Sequence, residues 1–483
     1  MSDFQNNSEL IRKILSGAKW ATALRVIAQI ISWISTVIVV RFISSHDYGL
    51  NAMLETPLEF LLLLSTLGLD SALARTKIIS KDELRSIFGL LLIVNFALFS
   101  IYFFGAELIA SYFNQPRLDP LAKVLAIVFL LIPFRVIPNA LLDRELKFKL
   151  RASVELSASV ITTLITLSLA IYGFGIWALI VGAISGRFIS AAILMILEPW
   201  FLWPSLRLAT AKGMLMFGGT MALSAAAVVI SDRLPVMIAG PRLSADTIGV
   251  FFVSFQFAIL PLSKVMPVIN PIIFPAFSRF EGQPEAIAIY MEKSLGVAAV
   301  ILLPIMIGLS CVSEEFVGVI LGEKWNAAVL PLALLSLCMP LRGATSFLRQ
   351  VISGVGFATL TLKSSFTSMF LFFALLIFGT NYGVNGIVAA FFLTELCVLA
   401  FTLRISKQAM ATSFYRVMNA IKPALICSMA MVIAVLVVKH LIHEKNLLLR
   451  LVVETLIGAG VYFLTLIFFF RRKTDEILGI LKH

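Results

Sequence analysis

Apolar runs of about twenty residues recur along the whole chain and dictate its fold class. The first extends from about Trp20 to Phe42, and the last ends just before Arg471. A helix needs about 20 mostly apolar residues to cross a bilayer, and windows of about that length give about fourteen candidate spans. The sequence therefore predicts an all-α polytopic membrane protein with about fourteen transmembrane helices.

Composition agrees with a chain dissolved in lipid. Of the 483 residues, 60% are hydrophobic and 14% are charged, whereas soluble domains carry about 25% charged residues. The net charge of +12 does not indicate a nucleic-acid partner, because Lys and Arg collect in the cytoplasmic loops of membrane proteins. The four cysteines have no metal-ligand spacing, so neither disulfides nor a metal site is expected.

Basic residues are concentrated in alternate loops. The loop after the second span holds Arg75, Lys77, Lys81 and Arg85, whereas the loop ISSHDYGLN after the first span has no Lys or Arg. Over all loops, about 25 Lys and Arg fall on one side of the membrane and about 6 on the other. The basic side faces the cytoplasm, which predicts that both termini are cytoplasmic.

A weak internal repeat divides the chain. The stretch ISSHDYGL (43–50) corresponds to RLSADTIGV (242–250), and IPFRVIPNALLDREL (132–146) corresponds to MPLRGATSFLRQV (339–351). The offset is about 200 residues, or six spans, so the copies share one topology and are expected to be related by a pseudo-two-fold axis along the membrane normal. We expect two six-helix lobes, 1–205 and 206–410, followed by a C-terminal helix pair and cytoplasmic tail, 411–483.

Basic residues within the spans are candidates for a cationic lumen. A charge at mid-bilayer costs several kcal/mol unless it faces a wet cavity, finds a partner or snorkels to the surface. The candidates are Arg25, Arg135, Arg233, Lys264 and Arg342. Prolines flank or precede three of them, so those helices are expected to bend or break near the charge. The structural alternative is that these side chains snorkel or pair with carboxylates, the interpretation favoured for Arg187 near a span end.

Embedded acids are fewer and supply candidates for ion coupling. They are Glu59, Asp232 and Glu395. Glu55 and Glu59 share one helix face near the outer end of span two. They would form either a cation site or a water-exposed entrance to the lumen. Glu395 is a candidate carrier of a proton or sodium ion, or else a hydrogen-bond partner of a neighbouring helix.

Asp232 and Arg233 are adjacent and therefore point about 100° apart on a helix. Arg233 is a candidate substrate-binding residue near the outer end of a cationic route. Asp232 would adjust the electrostatics of Arg233, form a contact between the two lobes or carry a proton. The alternative is a hydrogen-bonded pair that holds a kink at Pro235.

The excess of embedded cations indicates an anionic cargo, and Arg and Lys suit phosphate. The sequence has no phosphate-binding loop and no metalloprotease or serine-hydrolase motif, so neither an enzyme nor a cofactor is expected. Two alternatives stay open. A multidrug or cation antiporter of the same fold would require acidic residues in its lumen. A membrane glycan polymerase would require a large surface outside the bilayer.

Four stretches carry a family resemblance. They are LSGAKW (15–20), FNQPRLDPLAKVLAIVFLLIPFRVIPNALLDRELKFK (113–149), NPIIFPAFSRF (270–280) and LGEKWNAAVLPL (321–332). In this order they resemble Wzx-type oligosaccharide flippases of the polysaccharide-exporter family, most closely the colanic acid exporter branch. The wider superfamily comprises multidrug, oligosaccharidyl-lipid and polysaccharide exporters, and the resemblance covers essentially the whole chain.

The resemblance implies a function and its partners. The cargo would be an undecaprenyl-pyrophosphate-linked oligosaccharide repeat unit, flipped by alternating access from the cytoplasmic to the periplasmic leaflet of a bacterial inner membrane. Its destination would be exopolysaccharide, O-antigen or capsule. Membrane lipid, H+ or Na+ as coupling ion, a polysaccharide polymerase and a chain-length regulator would be the other partners.

The resemblance also carries over to particular residues. Arg25 and Lys264 lie in spans whose arginines serve the related peptidoglycan-precursor flippases, but span two has no mid-membrane Arg here. Asp232-Arg233 matches an acidic-basic pair that the family has late in span seven, whereas the usual Gly-Tyr-Tyr is replaced by Gly249-Val250-Phe251.

Overall fold

The computed structural model describes residues 2–66, 68–69, 73, 80–145, 147–197, 199–200, 202–205, 226, 229–278, 282–408, 410, 413–441 and 446–470. Within these ranges the chain is almost entirely helical and contains no strand. Eleven segments of the described chain are long and apolar enough to cross a membrane, and one of them, 359–406, consists of two consecutive helices. The all-α polytopic prediction is confirmed, while the count of fourteen spans stays a prediction.

The chain divides into two compact units, Met1–Ala245 and Asp246–His483. The three-part division predicted from the repeat stays a prediction. The helices that begin in the first unit, numbered in chain order, are α1 Ser2–Phe42, α2 Ser45–Ser65, α3 Lys81–Phe104, α4 Ala106–Tyr112, α5 Leu118–Leu125, α6 Ile127–Leu131, α7 Pro133–Arg144, α8 Phe148–Ile171, α9 Ile176–Leu197 and α10 at 229–239.

The second unit continues the numbering. Its helices are α11 Ala245–Ser278, α12 Pro284–Cys311, α13 Ser313–Phe316, α14 Val329–Gly354, α15 Ala358–Gly379, α16 Gly383–Ser406, α17 Phe414–Leu441 and α18 Leu447–Phe469. A π-helical turn, Val317–Leu321, and a 3-10 helix, Glu323–Ala328, connect α13 to α14. In this unit α17 packs against both α12 and α18.

Side-chain caps fix where several of these helices begin. The Ser44 hydroxyl accepts a hydrogen bond from the Asp47 backbone N–H at the start of α2. Ser80 and Glu83 form a reciprocal capping box at the start of α3. Each cap satisfies a backbone N–H that has no partner within the helix. Polar residues therefore mark the transition from loop to apolar helix.

Helix α7 begins at Pro133, two residues before Arg135. Proline suits the first turn of a helix, where its missing N–H has no intrahelical partner anyway. The predicted interruption near Arg135 is therefore present, between α6 and α7. Near Lys264 and Arg342 the helices are not broken, because α11 and α14 continue as helices through their prolines. The alternative, a bend at these prolines, stays a prediction. One lost backbone hydrogen bond is tolerated where neighbouring groups satisfy the freed carbonyl.

Three helices of the first unit pack side by side. Helix α1 lies along α8, and α8 lies along α9. Helix α7 contacts both α8 and α9. Two cavities described below lie among these helices.

Candidate functional site

A cavity of about 470 Å³ in the first unit is lined by three arginines and one aspartate. Helix α7 contributes Arg135 and Asp143, the first turn of α8 contributes Arg151, and the middle of α9 contributes Arg187. The remaining lining is mostly small or apolar and comes from α2, α7 and the residues beside them. A volume of this size falls within the range of about 300–1,000 Å³ that ligand sites occupy.

Of the three arginines in this cavity, only Arg151 forms salt bridges with described residues. Arg151 is ion-paired with Asp143, and its Nε donates to Glu155 Oε1 at 3.1 Å. The salt bridges of the described chain include none to Arg135 or Arg187. Arg187 Nη1 donates to the backbone carbonyl of Ala183 at 3.0 Å. Arg135 Nε is buried and has no hydrogen-bond partner among the described residues.

Two guanidinium groups therefore stand in one cavity without a carboxylate bound to either. At the centre of a spanning helix, each such charge costs about 2.5–3.5 kcal/mol on insertion scales. Water in the cavity or a bound anion would offset that cost. Guanidinium groups donate planar pairs of hydrogen bonds that match carboxylate and phosphate oxygens. The cavity has the chemistry of an anion site.

Arg25 reaches the neighbourhood of this cavity through a carboxylate. Its Nε lies 3.5 Å from Glu155 Oε2, and Glu155 also accepts from Arg151. Glu155 lines a second cavity of about 300 Å³, which shares Arg135 with the first. Arg25 is half-exposed, so the structure places it beside the cavity wall and paired.

Arg233 is held by two carboxylates from α2. Its Nε donates to Glu59 Oε2 at 3.0 Å, its Nη2 is ion-paired with Glu59 Oε1, and its Nη1 lies 3.4 Å from Glu55 Oε2. Asn51 Nδ2 donates to Glu55 Oε1 at 2.9 Å, which fixes the second carboxylate. Only 13% of the Arg233 side chain is exposed. Asp232 is partly buried and makes contacts of its own.

In the second unit, Arg342 lies within an aromatic and acidic setting. Its guanidinium carbon is 5.8 Å from the ring centre of Phe255 and 5.7 Å from that of Phe391. Its Nη1 is 3.9 Å from Glu395 Oε1, and Glu395 is buried. Cation–π contacts and a carboxylate satisfy this charge within the protein. Lys264 on α11 is partly buried and also has interaction partners.

The structure thus brings some predicted site residues together and joins others to acids. Arg135 lines both cavities, and Arg25 pairs with Glu155 in the wall of the smaller one. Arg233 and Arg342 are engaged by Glu59 and Glu395. The roles assigned to all eight candidates, in substrate binding or ion coupling, stay predictions.

Sequence reasoning missed Arg151 and Arg187 as members of the candidate site. Arg187 is the twelfth residue of the 22-residue helix α9, so snorkelling from its end is the wrong interpretation. The small residues around Arg187 in the sequence could have indicated that it faces neighbouring helices. Gly182 and Gly186 lie on the same helix and face threonines of α8, a pattern that lets membrane helices approach closely around a polar group.

Comparisons with known proteins place the chain in a family. The model of the family described as "Polysaccharide biosynthesis protein" matches residues 38–330, which is more than half of the chain. The chain belongs to this polysaccharide biosynthesis family. The predicted resemblance to polysaccharide exporters is thereby confirmed.

One similar bacterial protein and two solved structures extend this result. The lipopolysaccharide biosynthesis protein WzxC of Escherichia coli (strain K12) is 27% identical over 394 residues, which cover 80% of this chain and 79% of the relative. The lipid II flippase MurJ, in an inward closed conformation, superposes with a TM-score of 0.75 at 15% identity, over 94% of this chain and 99% of that one. A multidrug resistance MATE family transporter of the MOP superfamily superposes with a TM-score of 0.63 at 14% identity, over 82% and 96%. The two structural matches establish a shared fold for this polysaccharide biosynthesis family member.

Proposed function

We propose that this protein flips a lipid-linked oligosaccharide across a bacterial inner membrane, from the cytoplasmic to the periplasmic leaflet, with both of its termini in the cytoplasm. The cargo is an undecaprenyl-pyrophosphate-linked repeat unit destined for a surface polysaccharide. The protein acts as a transporter and not as an enzyme.

The cavity that holds Arg135 and Arg187 is the observation that carries this proposal. Neither guanidinium group forms a salt bridge with a described carboxylate, and the oxygens of a pyrophosphate head would accept hydrogen bonds from both. The isoprenoid tail has no need of a protein route, because it is as apolar as the lipid around it. Membership of a polysaccharide biosynthesis family supports a sugar as the remaining part of the cargo.

The same fold also serves multidrug transporters, so a cationic cargo is the main alternative. A cationic cargo would want carboxylates available to it. Glu55, Glu59 and Glu395 are instead engaged by arginines. The described acids therefore favour an anionic cargo over a cationic one.

Transfer of a labelled cargo tests the proposal. The purified protein is reconstituted into vesicles with a fluorescent undecaprenyl-pyrophosphate-linked repeat unit, and a membrane-impermeant quencher reports the leaflet. We expect transfer by the natural protein and at least about a tenfold lower initial rate for the Arg135→Gln, Arg187→Gln double variant, since each charge-assisted hydrogen bond contributes about 1.5–3 kcal/mol.

Arg416→Gln is the matched control, because Arg416 lies outside the cavity and pairs with Glu285 at the surface. Its rate should equal that of the natural protein. Absence of transfer by the natural protein, or an unchanged rate in the double variant, would contradict the proposal.

A further inference from the structure

One carboxylate lines the larger cavity of the first unit, among its three arginines. Asp143 belongs to the last turn of α7, and its Oδ2 accepts a hydrogen bond from Nη1 of Arg151 in the first turn of α8. Both side chains keep more than a quarter of their surface exposed. A carboxylate repels the anion that the arginines of the same cavity attract. Asp143 therefore opposes the binding that Arg135 and Arg187 favour.

The stability of α7 does not account for Asp143. The C-terminal end of a helix carries a partial negative charge, so a carboxylate is unfavourable in the last turn. A basic residue suits that position, as Arg144 does at the end of α7. The favourable contact of the Asp143 side chain is its ion pair with Arg151.

Arg151 can exchange this partner and keep its position. A different nitrogen, Nε, donates to Glu155 Oε1 at 3.1 Å, and Glu155 is itself held by Arg25, whose Nε lies 3.5 Å from Glu155 Oε2. Glu155 lines the smaller cavity and not the larger one. An anion in the larger cavity can therefore replace Asp143 at Nη1 while Glu155 continues to hold the guanidinium group.

The charge of the cavity wall suits such an exchange. Three guanidinium groups and one carboxylate line the larger cavity, which leaves two positive charges in excess. A pyrophosphate that joins a lipid to a sugar carries two negative charges, because each phosphorus atom keeps one ionised oxygen. With Asp143 present, the wall balances this head. Without Asp143, the head would face a third cation and would leave the cavity more slowly.

We propose that Asp143 is an internal competitor of the anionic head. It holds Arg151 in the empty cavity, yields Arg151 to the head, and takes Arg151 back when the head leaves. This inference rests on the proposed flipping function. Passage through a membrane protein requires binding that is strong enough for entry and weak enough for exit. Asp143 sets that balance by lowering the affinity for the head and speeding its release.

A purely structural role for Asp143 predicts a different result. If its ion pair with Arg151 only fixes α7 against α8, removing the carboxylate loosens the cavity wall. Binding of an anionic head would then weaken or stay unchanged, and it would not become tighter.

Binding and transfer of one probe separate the two roles. The probe is the fluorescent undecaprenyl-pyrophosphate-linked repeat unit, offered to the purified protein in nanodiscs for the dissociation constant and in vesicles for the transfer rate. For Asp143→Asn we expect about tenfold tighter binding, equivalent to about 1.4 kcal/mol, because no carboxylate competes for Arg151. The transfer rate at saturating probe should fall about fivefold to tenfold, since changes in affinity lie mostly in the dissociation rate.

Glu145→Gln is the matched control. Glu145 is exposed, pairs with Lys147 and does not line the cavity, so losing the same negative charge there should change neither binding nor transfer. A second neutral variant, Asp143→Ser, should repeat the effect of Asp143→Asn, because Arg151 keeps Glu155 as a partner in both. Asp143→Glu retains a carboxylate and should bind the probe less tightly than either neutral variant.

The outcomes distinguish this inference from the flipping function. Unchanged or weaker binding by the neutral Asp143 variants would overturn the competitor role and leave the flippase proposal intact. Tighter binding with an undiminished rate at saturation would also overturn it, because release would then not depend on Asp143. If the natural protein transfers no probe, the flipping function fails. Inorganic pyrophosphate, whose binding requires no transfer, then tests Asp143 by itself and should bind more tightly to Asp143→Asn; equal binding would overturn the competitor role as well.

Discussion

The three arginines of the larger cavity differ in whether a carboxylate forms a salt bridge with them. Arg151 is bound by Asp143 and Glu155, whereas Arg135 and Arg187 form no salt bridge with a described residue. Removing one partner of a buried ion pair leaves an uncompensated charge, while removing an unpaired charge relieves a desolvation cost. Stability and transport should therefore respond differently at these positions.

We expect Arg151→Gln and Arg135→Gln to have opposite effects on the stability of the protein. Arg151→Gln leaves Asp143 without its cation and leaves Glu155 with Arg25 alone, and it should lower the free energy of unfolding by about 1–3 kcal/mol. Arg135→Gln should leave stability unchanged or raise it, yet impair transfer of the glycolipid. Thermal unfolding of the detergent-solubilised variants, measured beside the vesicle assay, checks both. A destabilised Arg135→Gln protein would mean that Arg135 has a structural partner instead.

Individual residues also mark how far sequence reasoning extends. The pattern of charges singled out Arg233, Glu55 and Glu59, but it left them as separate candidates. The structure joins Arg233 to Glu59 across 174 positions of sequence. A pairing over that distance depends on how helices approach in three dimensions, and neither local periodicity nor hydropathy contains that information.

At the level of helices, a cluster of four charged residues joins the last two helices to the rest of the second unit. Glu315 of α13 is fully buried and binds Lys439 Nζ at 2.7 Å and Arg450 Nη2 at 2.5 Å. Glu454 lies 3.8 Å from Lys439 and 3.7 Å from Arg450. The cluster joins the end of α17 and the start of α18 to the segment after α12.

Substitution of two adjacent glutamates tests this cluster. Glu315→Gln leaves Lys439 and Arg450 with one carboxylate between them and should destabilise the protein by about 3–5 kcal/mol, as the loss of a buried partner does. Glu314→Gln is the control, because Glu314 is exposed and surface charges contribute about 1 kcal/mol or less. Thermal unfolding and protease release of the C-terminal helix pair report the difference. Equal behaviour of the two variants would show that apolar packing alone holds α17 and α18.

Helix positions were far more predictable than helix contacts. Apolar runs gave the spans because a bilayer imposes both a length and an apolar composition. The prolines flanking Arg135 predicted an interruption there, and the structure has one just before α7, which begins at Pro133. The continuation of α11 and α14 through proline did not follow, because whether a freed carbonyl finds another partner depends on neighbouring helices.

Across the described part of the molecule, these embedded charges fall into two kinds. One kind is satisfied within the protein, as in Arg233 with Glu59, Arg342 with Glu395, and the cluster around Glu315. The other kind, Arg135 and Arg187, faces a cavity. Paired charges maintain the fold of an apolar bundle, and unpaired ones remain available to a ligand. The composition alone, with more embedded cations than anions, could not distinguish the two kinds.

This division predicts the sign of the cargo for the whole protein. Binding a cationic drug would require breaking Arg–Glu pairs, whereas binding an anionic head would compensate charges that are already unpaired. Deletion of the gene in the producing bacterium should therefore abolish the surface polysaccharide and leave susceptibility to cationic dyes and drugs unchanged. The natural protein should restore the polysaccharide, and the Arg135→Gln, Arg187→Gln variant, present in the membrane at the same level, should not. Increased drug susceptibility with normal polysaccharide would instead identify a cation exporter, with Glu55, Glu59 and Glu395 released from their arginines during transport.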